Sequence, residues 1–380
     1  MVAITIAGAG PVGLKTGLLL KREGFEISIL EEHSAIGEPA NCSGLFSKTG
    51  MQEHGIKLDD CLINEIKGAK IYSPGGNEIF VKRKDTVAYV VDRAKFDRIF
   101  YKEAMKIGLD VRLKNKLMNV RGNSVFIEAN GRGEMEKSKI IIGADGATST
   151  VRHIMFGNTV PSNFIHTIQG KMEGEFEKDI VRLYFGDFAK GFFAWVIPEN
   201  EKTARVGLGN VLGENISKNF GTFLEKNHIG SELSDTRSFL IPISKPLKTA
   251  VKDNLMLVGD AAFQTKATTG GGIVTGLTAA EACAKTVSNH FKRKEPLKNY
   301  QKHLKDLNKE LLIHWKMQNF LKNQNEQYMN KMFAKLKNAG IEEFLTEHGD
   351  MDKPSKFLGK MATSPRFWFL LGPLMGFLRS

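Results

Sequence analysis

Short apolar runs alternate with helical patterns in the first part of the chain. Val2 to Ala7 is an apolar, β-branched run and predicts a buried strand. Leucines then recur on one face of residues 11–23, which predicts a helix that Gly24 ends. Residues 27–30 predict a second buried strand, so the chain is expected to open with a βαβ unit.

The same rhythm returns further along. Residues 139–142 and 255–258 predict two more buried strands, each of which runs into a turn that contains glycine and aspartate. Residues 92–107 predict an amphipathic helix, and another helix is expected to begin near Gly272. These segments predict a Rossmann-like α/β domain assembled from separate parts of the chain.

Two other stretches alternate polar and apolar residues more often and are broken by Gly and Pro. Residues 66–81 and 164–243 predict antiparallel strands of a second domain inserted into the first. From Pro296 onward the pattern is helical and strongly basic. We expect a discontinuous nucleotide-binding domain formed by residues 1–65, 86–160 and 250–295. An antiparallel-sheet substrate domain, residues 66–85 and 161–249, is inserted into it. Residues 296–380 are expected to form a helical C-terminal region.

Composition and charge narrow the class of protein. With 42% hydrophobic and 25% charged residues, the 380-residue chain has the composition of a globular protein and can bury a sizeable core. The net charge of +12 favours anionic partners, such as phospholipid headgroups, phosphorylated substrates or nucleic acid, or else reflects a lysine-rich solvated surface. No apolar run is long enough to span a bilayer, and the N-terminus does not have the pattern of a signal peptide. A cytoplasmic protein, free or peripheral at a membrane, is therefore expected.

The three cysteines limit the redox and metal chemistry. Cys42, Cys61 and Cys283 lie far apart and have neither CxxC nor zinc-ligand spacing. We expect no disulfide framework and no metal site.

A glycine-rich turn lies between the first predicted strand and helix. Gly8, Gly10 and Gly13 form the pattern GxGxxG, and Pro11 stands at the start of the helix. The first glycine permits a tight turn, the second lets the backbone approach a pyrophosphate, and the third lets the helix pack closely on the strand. The helix start adds free N–H groups and the positive end of its dipole. These residues predict a dinucleotide site.

An acidic pair follows the second predicted strand. Glu31 is placed where a carboxylate accepts a hydrogen bond from a ribose hydroxyl, and Glu32 beside it is a further candidate for cofactor binding. The fingerprint alone does not separate NAD from FAD.

Two further motifs decide between these cofactors. Residues 142–152 contain Asp145 followed by glycine, and residues 257–262 contain Gly259 and Asp260. The first run resembles the DG motif, and the second the GD motif, of the flavoprotein hydroxylase superfamily. The resemblance implies an FAD-binding domain in which these residues belong to the cofactor site and Asp260 holds the ribityl chain.

The loop after the GD motif is expected to approach the flavin ring, as it does in that superfamily. Glycine N–H groups at a helix start can stabilise negative charge at the N1–O2 edge of a flavin. Residues 92–97 resemble the superfamily's DRxxFD segment, whose arginine, here Arg93, usually lies near the flavin. The loop residues are Gly270, Gly271, Gly272 and Ile273.

The most specific local pattern is GEPANCSGLFS at residues 37–47, which includes Cys42 and Gly44. It resembles the GxPxxCxG segment of the geranylgeranyl reductase family, and FAWVIP at residues 193–198 is similar to that family's YxWxFP motif. The resemblance extends to about Val287. It implies an FAD enzyme that saturates double bonds of isoprenoid chains, including those of archaeal ether lipids, with Cys42 near the flavin.

The chain departs from the family pattern at four positions. Phe193 replaces the tyrosine and Ile197 the phenylalanine of YxWxFP, while Lys266 and Ala267 stand where the family often has Asn-Pro. Phe193 keeps the aromatic ring but cannot contribute a hydroxyl to catalysis.

Reduction of an unactivated alkene requires a hydride from flavin N5, a proton from the other side and a dry apolar pocket. Cys42, Trp195 and Phe193 are the catalytic candidates, and Cys42 could donate the proton or adjust the ring. A buried structural cysteine and an ordinary sheet core are the alternative interpretations of these residues. The expected partners are a prenylated lipid and an external electron donor, such as ferredoxin, reduced deazaflavin or NADPH.

The C-terminal region suits a lipid substrate. Residues 292–305 are rich in lysine, and residues 366–379 are aromatic with basic ends, broken by Gly-Pro and too short to span a bilayer. Such a segment is typical of an interfacial membrane contact, although packing over the core or against a dimer partner is equally compatible with it.

Two other functions fit parts of the sequence. Residues 193–198 also resemble, with one change, the WxWxIP motif of flavin halogenases, so a flavin monooxygenase or halogenase is one alternative. That family does not carry the Cys42 segment, and its catalytic lysine is not recognised here. A quinone-linked electron-transfer flavoprotein is the second alternative, but its relatives normally add an iron–sulfur module that three scattered cysteines cannot supply. No recognised module supports nucleic-acid binding.

Overall fold

The fold is given by a computed structural model that describes residues 4–40, 42–58, 60–157, 164–230 and 233–370. Its strands are β1 (Ile4–Ala7), β2 (Ile27–Glu31), β3 (Leu45–Ser47), β4 (Leu62–Ile66), β5 (Gly68–Tyr72), β6 (Glu78–Lys82), β7 (Ala88–Val91), β8 (Asp110–Leu113), β9 (Asn115–Arg121), β10 (Ser124–Ala129), β11 (Arg132–Lys137), β12 (Ile140–Gly143), β13 (Phe164–Glu173), β14 (Ile180–Tyr184), β15 (Ala194–Pro198), β16 (Thr203–Val211), β17 (Leu233–Pro242), β18 (Val251–Lys252) and β19 (Leu255–Leu257). Its α-helices are α1 (Pro11–Arg22), α2 (Lys48–Glu53), α3 (Arg93–Lys106), α4 (Thr150–Phe156), α5 (Ile216–Lys226), α6 (Ile273–Arg293), α7 (Tyr300–His303), α8 (Lys305–Leu321), α9 (Glu326–Asn338), α10 (Ile341–His348) and α11 (Pro354–Thr363).

A six-stranded sheet of order β18-β19-β12-β1-β2-β8 forms the nucleotide-binding part. β1 is central and pairs in parallel with β12 and β2, and all three strands are buried almost completely because both faces of the sheet are covered. Parallel strands end at the same sheet edge. The glycine turn after β1, Glu31 at the end of β2 and the GD motif after β19 therefore meet at one crevice.

A seven-stranded sheet of order β17-β13-β16-β15-β14-β5-β6 forms the second layer. Its pairings are antiparallel, as the alternating pattern predicted, except that β5 and β14 run parallel. These two strands come from separate stretches of chain, so no hairpin forces them to be antiparallel. One face of the sheet packs on α5 through Phe220, Phe223 and Leu224.

Two three-stranded sheets, β3-β7-β4 and β11-β10-β9, flank these layers. Of the helices after residue 296, α9 and α10 pack against β6, where Arg83 donates to the carbonyl of Thr346 at 2.6 Å and Glu342 accepts the N–H of Phe80 at 2.7 Å. Phe333, Phe344 and Phe367 form the core of this region. The predicted helical C-terminal region is thus present.

The α/β fold, with an antiparallel-rich second sheet and a helical C-terminal region, is confirmed. The bounds proposed for the three regions stay a prediction. Residues 2–3 of the first predicted strand lie outside the described residues, as do residues 371–379 of the aromatic tail. In the described ranges, the structure contains no helix with both the length and the apolarity to cross a membrane.

Candidate active site

The glycine turn is shaped by close backbone contacts. Gly8 has φ +97°, and a Cβ there would clash with the carbonyl oxygen of Ala144, while a Cβ on Gly13 would clash with the carbonyl oxygen of Gly8. Gly10 differs, because in the described chain no atom beyond its immediate neighbours lies within 4 Å of the position its Cβ would take. This open space lies directly before Pro11 at the start of α1, so it fits the phosphates of a dinucleotide.

Glu31 and Glu32 point to different places. Glu31 accepts the N–H of Ala9 at 2.8 Å and that of His33 at 2.9 Å, so its carboxylate lies against the glycine turn. Glu32 forms a half-exposed ion pair of 2.7 Å with Lys116 on β9. Of the two predicted residues, Glu31 is the one held at the dinucleotide turn.

The DG motif supports the turn into α4. Asp145 accepts the hydroxyl of Ser149 at 2.5 Å and the N–H of Val151 at 3.0 Å. Burial raises the pKa of Asp145, against the effect of these hydrogen bonds. Arg152 on α4 donates to the carbonyls of Asp260 at 3.3 Å and Ala261 at 2.9 Å, which ties the DG motif to the GD motif.

The GD motif places a buried carboxylate at the crevice. Gly259 donates its N–H to Gln264 Oε1 at 2.6 Å, and Asp260 Oδ1 accepts the hydroxyl of Thr265 at 2.8 Å. Burial raises the pKa of Asp260, although the hydrogen bond from Thr265 and the charges of Arg93 and Arg152 act in the opposite direction. Asp260 could hold polar groups of a cofactor at this point.

The glycine loop links Asp260 to the seven-stranded sheet. A Cβ on Gly272 would clash with Asp260 Oδ1, and a Cβ on Gly270 would lie 2.9 Å from Ile241 and 3.4 Å from Phe192. Gly272 precedes α6, which begins at Ile273. The loop therefore presents the N-terminus of a long helix, with a carboxylate on one side and an apolar surface on the other.

Cys42 and Arg93 lie together at a cavity of about 660 Å³. The Sγ of Cys42 accepts the N–H of Gly44 at 3.3 Å, and Arg93 forms an ion pair of 2.9 Å with Asp97. Burial lowers the pKa of Arg93, but Asp97 and Cys42 outweigh it and the net pKa is raised. A permanent cation therefore lies beside the thiol.

Arg205 on β16 fixes the Cys42 segment from the other side. It donates to the carbonyls of Ser43 at 2.6 Å and Val91 at 3.0 Å, and it pairs with Glu199 at 2.7 Å. A Cβ on Gly44 would clash with its guanidinium. The glycine at position 44 thus makes room for Arg205.

An apolar face of the seven-stranded sheet meets the glycine loop. Because side chains alternate along a strand, Phe193, Trp195 and Ile197 share this face. Phe193 stacks on Phe192 with ring centroids 4.2 Å apart, and Trp195 lies edge-on to Phe193 at 6.0 Å. The indole N–H of Trp195 donates to Gln169 at 2.9 Å, and Gln169 also lines the cavity.

Several polar side chains at the site were not predicted. Arg205 offered one signal, a charge at an inward position of an otherwise apolar strand. The others lie in elements without a recognised motif and reach the site only through the fold. The missed residues are Gln169, Arg205, His314 and Asp352.

Comparison with known proteins agrees with this geometry. The model of the FAD binding domain family matches residues 1–205. A digeranylgeranylglycerophospholipid reductase of Methanococcoides burtonii is 30% identical over 326 residues, which cover 79% of this chain and 78% of the relative.

Two solved structures share the fold. A geranylgeranyl bacteriochlorophyll reductase-like protein of Thermoplasma acidophilum superposes with a TM-score of 0.86 at 23% identity, over 99% of this chain and 98% of that one. A flavin-dependent brominase superposes with a TM-score of 0.70 at 14% identity, over 91% and 92% of the two chains. FAD is thus confirmed as the cofactor, and the chain belongs to the FAD-binding family of the digeranylgeranylglycerophospholipid reductases.

Proposed function

We propose that the chain is an FAD-dependent reductase that saturates C=C bonds in the geranylgeranyl chains of membrane lipids. The observation that carries the proposal is the close approach of Gly270 in the glycine loop to Ile241 on β17 and to Phe192, which lies just before β15. A substrate that reaches the loop along this face meets aromatic and branched aliphatic groups, which suits a prenyl chain. The name of the Methanococcoides burtonii relative supports the same substrate class.

In this proposal, each part of FAD has a place along the crevice. The open space at Gly10 and the start of α1 suit the pyrophosphate, and Glu31 suits the adenosine ribose. Asp260 suits the ribityl chain, and the N-terminus of α6 suits the electron-rich edge of the ring. The remaining residues that we assign to the cofactor site are Gly8, Pro11, Gly13, Cys42, Gly44, Arg93, Asp145, Gly259, Gly270, Gly271, Gly272 and Ile273.

Bound FAD, once reduced, supplies a hydride to one carbon of a double bond, and the chain has to supply a proton to the other. We assign the proton to Cys42 Sγ, which lines the cavity next to Arg93. A cation beside the sulfur stabilises the thiolate that remains after the proton leaves. The N–H of Gly44, 3.3 Å from Sγ, stabilises it further.

Trp195 and Phe193 orient the prenyl chain in this proposal. The hydrogen bond to Gln169 fixes the plane of the Trp195 ring, and stacking on Phe192 fixes Phe193. The two rings are only 4% and 9% exposed and do not line the cavity that contains Cys42, so in this proposal they support the wall of the substrate site from behind. Phe193 acts by packing alone, since it has no hydroxyl.

The substrate class also suggests where the protein acts. Trp368 and Phe369 are 55% and 39% exposed in a C-terminal segment that carries Lys356, Lys360 and Arg366. Exposed aromatic rings among basic side chains favour the interface of an anionic membrane. We propose peripheral membrane contact through this segment, with an external donor of the ferredoxin, deazaflavin or nicotinamide class reducing FAD.

The proposed function is tested without oxygen. When FAD has been reduced with dithionite under argon, a geranylgeranyl phospholipid should restore the spectrum of oxidised flavin, and its fully saturated counterpart should not. A monooxygenase or halogenase would instead require oxygen, and a quinone-linked carrier would be reoxidised by quinone alone. Failure of every geranylgeranyl lipid to oxidise the flavin would overturn the proposal.

A further inference from the structure

Two oppositely charged side chains are buried under the glycine loop. Lys266 Nζ and Asp352 Oδ1 are 2.5 Å apart, and their side chains are only 6% and 9% exposed. Removing two charges from water is unfavourable, and the attraction between them often does no more than balance that loss. A stabilising role alone is therefore a weak explanation of this pair.

Lys266 is part of the glycine loop itself. Its backbone N–H donates to the carbonyl of Gly271 at 3.0 Å, and its carbonyl accepts the N–H of Gly270 at 2.8 Å. Its side chain then folds back along the loop, since a Cβ on Gly271 would lie 2.8 Å from Lys266 Cε and 3.2 Å from Nζ. The ammonium group thus lies close to the loop against which we place the flavin ring.

Asp352 comes from the far end of the chain and is held in place by several contacts. The hydroxyl of Ser47 donates to its second carboxylate oxygen, and Asp350 accepts its N–H at 2.9 Å. The next residue, Lys353, forms an ion pair of 2.5 Å with Glu53. The segment between α10 and α11 therefore delivers one carboxylate to a fixed point beneath the loop.

The charges around this pair are defined. Burial raises the pKa of Asp352, but the charge and hydrogen bond of Lys266 and the hydrogen bond of Ser47 outweigh it, so the net pKa is lowered. His314, which contacts Thr268 at 2.6 Å, has its pKa lowered to about 4 by burial and by Lys266, so it is neutral near pH 7. The pair itself thus supplies one cation and one anion, and the carboxylate of Asp350 lies beside them.

We propose that the Lys266–Asp352 pair sets the reduction potential of the bound flavin, through the net charge that it places against the glycine loop. Reduction of FAD by two electrons with uptake of one proton leaves one negative charge on the ring. The positive charge of Lys266 favours this reduced state, and the negative charge of Asp352 disfavours it. In the pair, each charge offsets the effect of the other on the flavin. The inference rests on the placement of the flavin ring in the proposed function.

The two members of the pair predict shifts of opposite sign. In the FAD-loaded protein at pH 8, Asp352→Asn should raise the flavin midpoint potential and Lys266→Met should lower it. We expect each to change the equilibrium constant for two-electron reduction at least tenfold, about 30 mV. The double variant should return towards the wild type. Lys266→Arg, which keeps the charge, should leave the potential unchanged.

Potentials are measured by dithionite titration against a reference dye, without lipid, after fluorescence has shown that each variant retains FAD. If Lys266→Met does not fold, the near-isosteric Asp352→Asn still decides the sign. Shifts in the same direction for both single variants, or an unchanged potential in Asp352→Asn, would overturn the inference. Because no lipid is present, a failure of lipid reduction with the predicted potentials would count against the proposed function alone.

Discussion

Cys42 is interpreted either as the proton donor of the reaction or as a residue that only packs in its segment. If Cys42 donates the proton, Cys42→Ser should retain FAD and slow the single turnover of a geranylgeranyl lipid at least tenfold, roughly 1.4 kcal/mol of activation free energy. The reason is that a serine hydroxyl is a far weaker acid than a thiol. The rate is measured under argon with pre-reduced flavin, so that the supply of electrons cannot limit it.

Cys283→Ala is the matched control for this variant. Cys283 is fully buried in the middle of α6 and lies outside the cavity lining, so its loss should leave the rate unchanged. A wild-type rate in Cys42→Ser would reduce Cys42 to a packing residue.

Gly10 and Gly13 provide a second test at the same scale. Gly10 has φ −69°, which any residue adopts, and its missing Cβ points into open space, so Gly10→Ala should fold normally. The methyl group would occupy the space proposed for phosphate and should weaken FAD binding at least tenfold, about 1.4 kcal/mol. Gly13→Ala should instead destabilise the apoprotein by about 1–3 kcal/mol, because its Cβ clashes with Gly8.

Fluorescence titration of the apoproteins with FAD and their thermal unfolding distinguish the two effects. If Gly10→Ala binds FAD as tightly as the wild type does, the pyrophosphate does not bind at this turn.

At the scale of elements, the sequence predicted the strands and helices that depend on neighbouring residues. The βαβ unit was predictable because β1 and β2 consist mainly of apolar, buried residues and α1 follows directly on the glycine turn. The parallel pairing of β5 with β14 was not, because it depends on where two distant insertions meet. Nor was the contact of Ser47 with Asp352, which joins residues 305 positions apart. The motifs thus predicted the residues of the cofactor crevice. The side chains that reach the crevice from other elements could not be predicted, because they lie in no recognised motif.

Helix α8 contributes a titratable group to the buried cluster. Burial and the charge of Lys266 lower the pKa of His314 to about 4 from an ordinary 6.5. Folding favours the neutral form of His314, so between about pH 6.5 and pH 4 the unfolded chain binds a proton at this residue more readily than the folded chain does. The folded protein is therefore most stable, with respect to His314, above about pH 6.5 and loses stability as the pH falls towards 4. The loss should be on the order of 3 kcal/mol.

His314→Gln removes this titration and retains hydrogen-bonding groups. Urea unfolding of the FAD-loaded proteins at pH 7 and pH 4 should show a larger loss of stability in the wild type than in the variant. Equal losses would show that His314 is not held in the neutral form by the fold.

At the scale of the whole molecule, one part of the C-terminal segment packs on the core and another part faces outward. Phe367 is only 1% exposed and packs edge-on against Phe344 with ring centroids 5.0 Å apart, whereas Trp368 and Phe369 point outward. Removing the whole tail would therefore disturb the core and the outer surface together. Substitutions of single residues test the core and the outer surface separately.

Trp368→Ser with Phe369→Ser should reduce binding to anionic vesicles while FAD and the unfolding temperature stay unchanged. The binding of the wild type should weaken as salt screens the headgroups. Phe367→Ala should cost about 3–5 kcal/mol of folding stability. Sedimentation with vesicles is the measurement, and equal binding by the double variant and the wild type would contradict membrane contact through these rings.

The central claim is that reduced FAD in this crevice delivers a hydride to a prenyl double bond while the chain delivers a proton. The most direct test is one turnover in heavy water under argon, with dithionite-reduced protein, a geranylgeranyl phospholipid and mass spectrometry of the lipid. We expect two deuterium atoms to enter the lipid for each double bond lost, with one FAD reoxidised per bond. Product that carries oxygen or halogen, or flavin reoxidation with an unchanged lipid mass, would contradict the account.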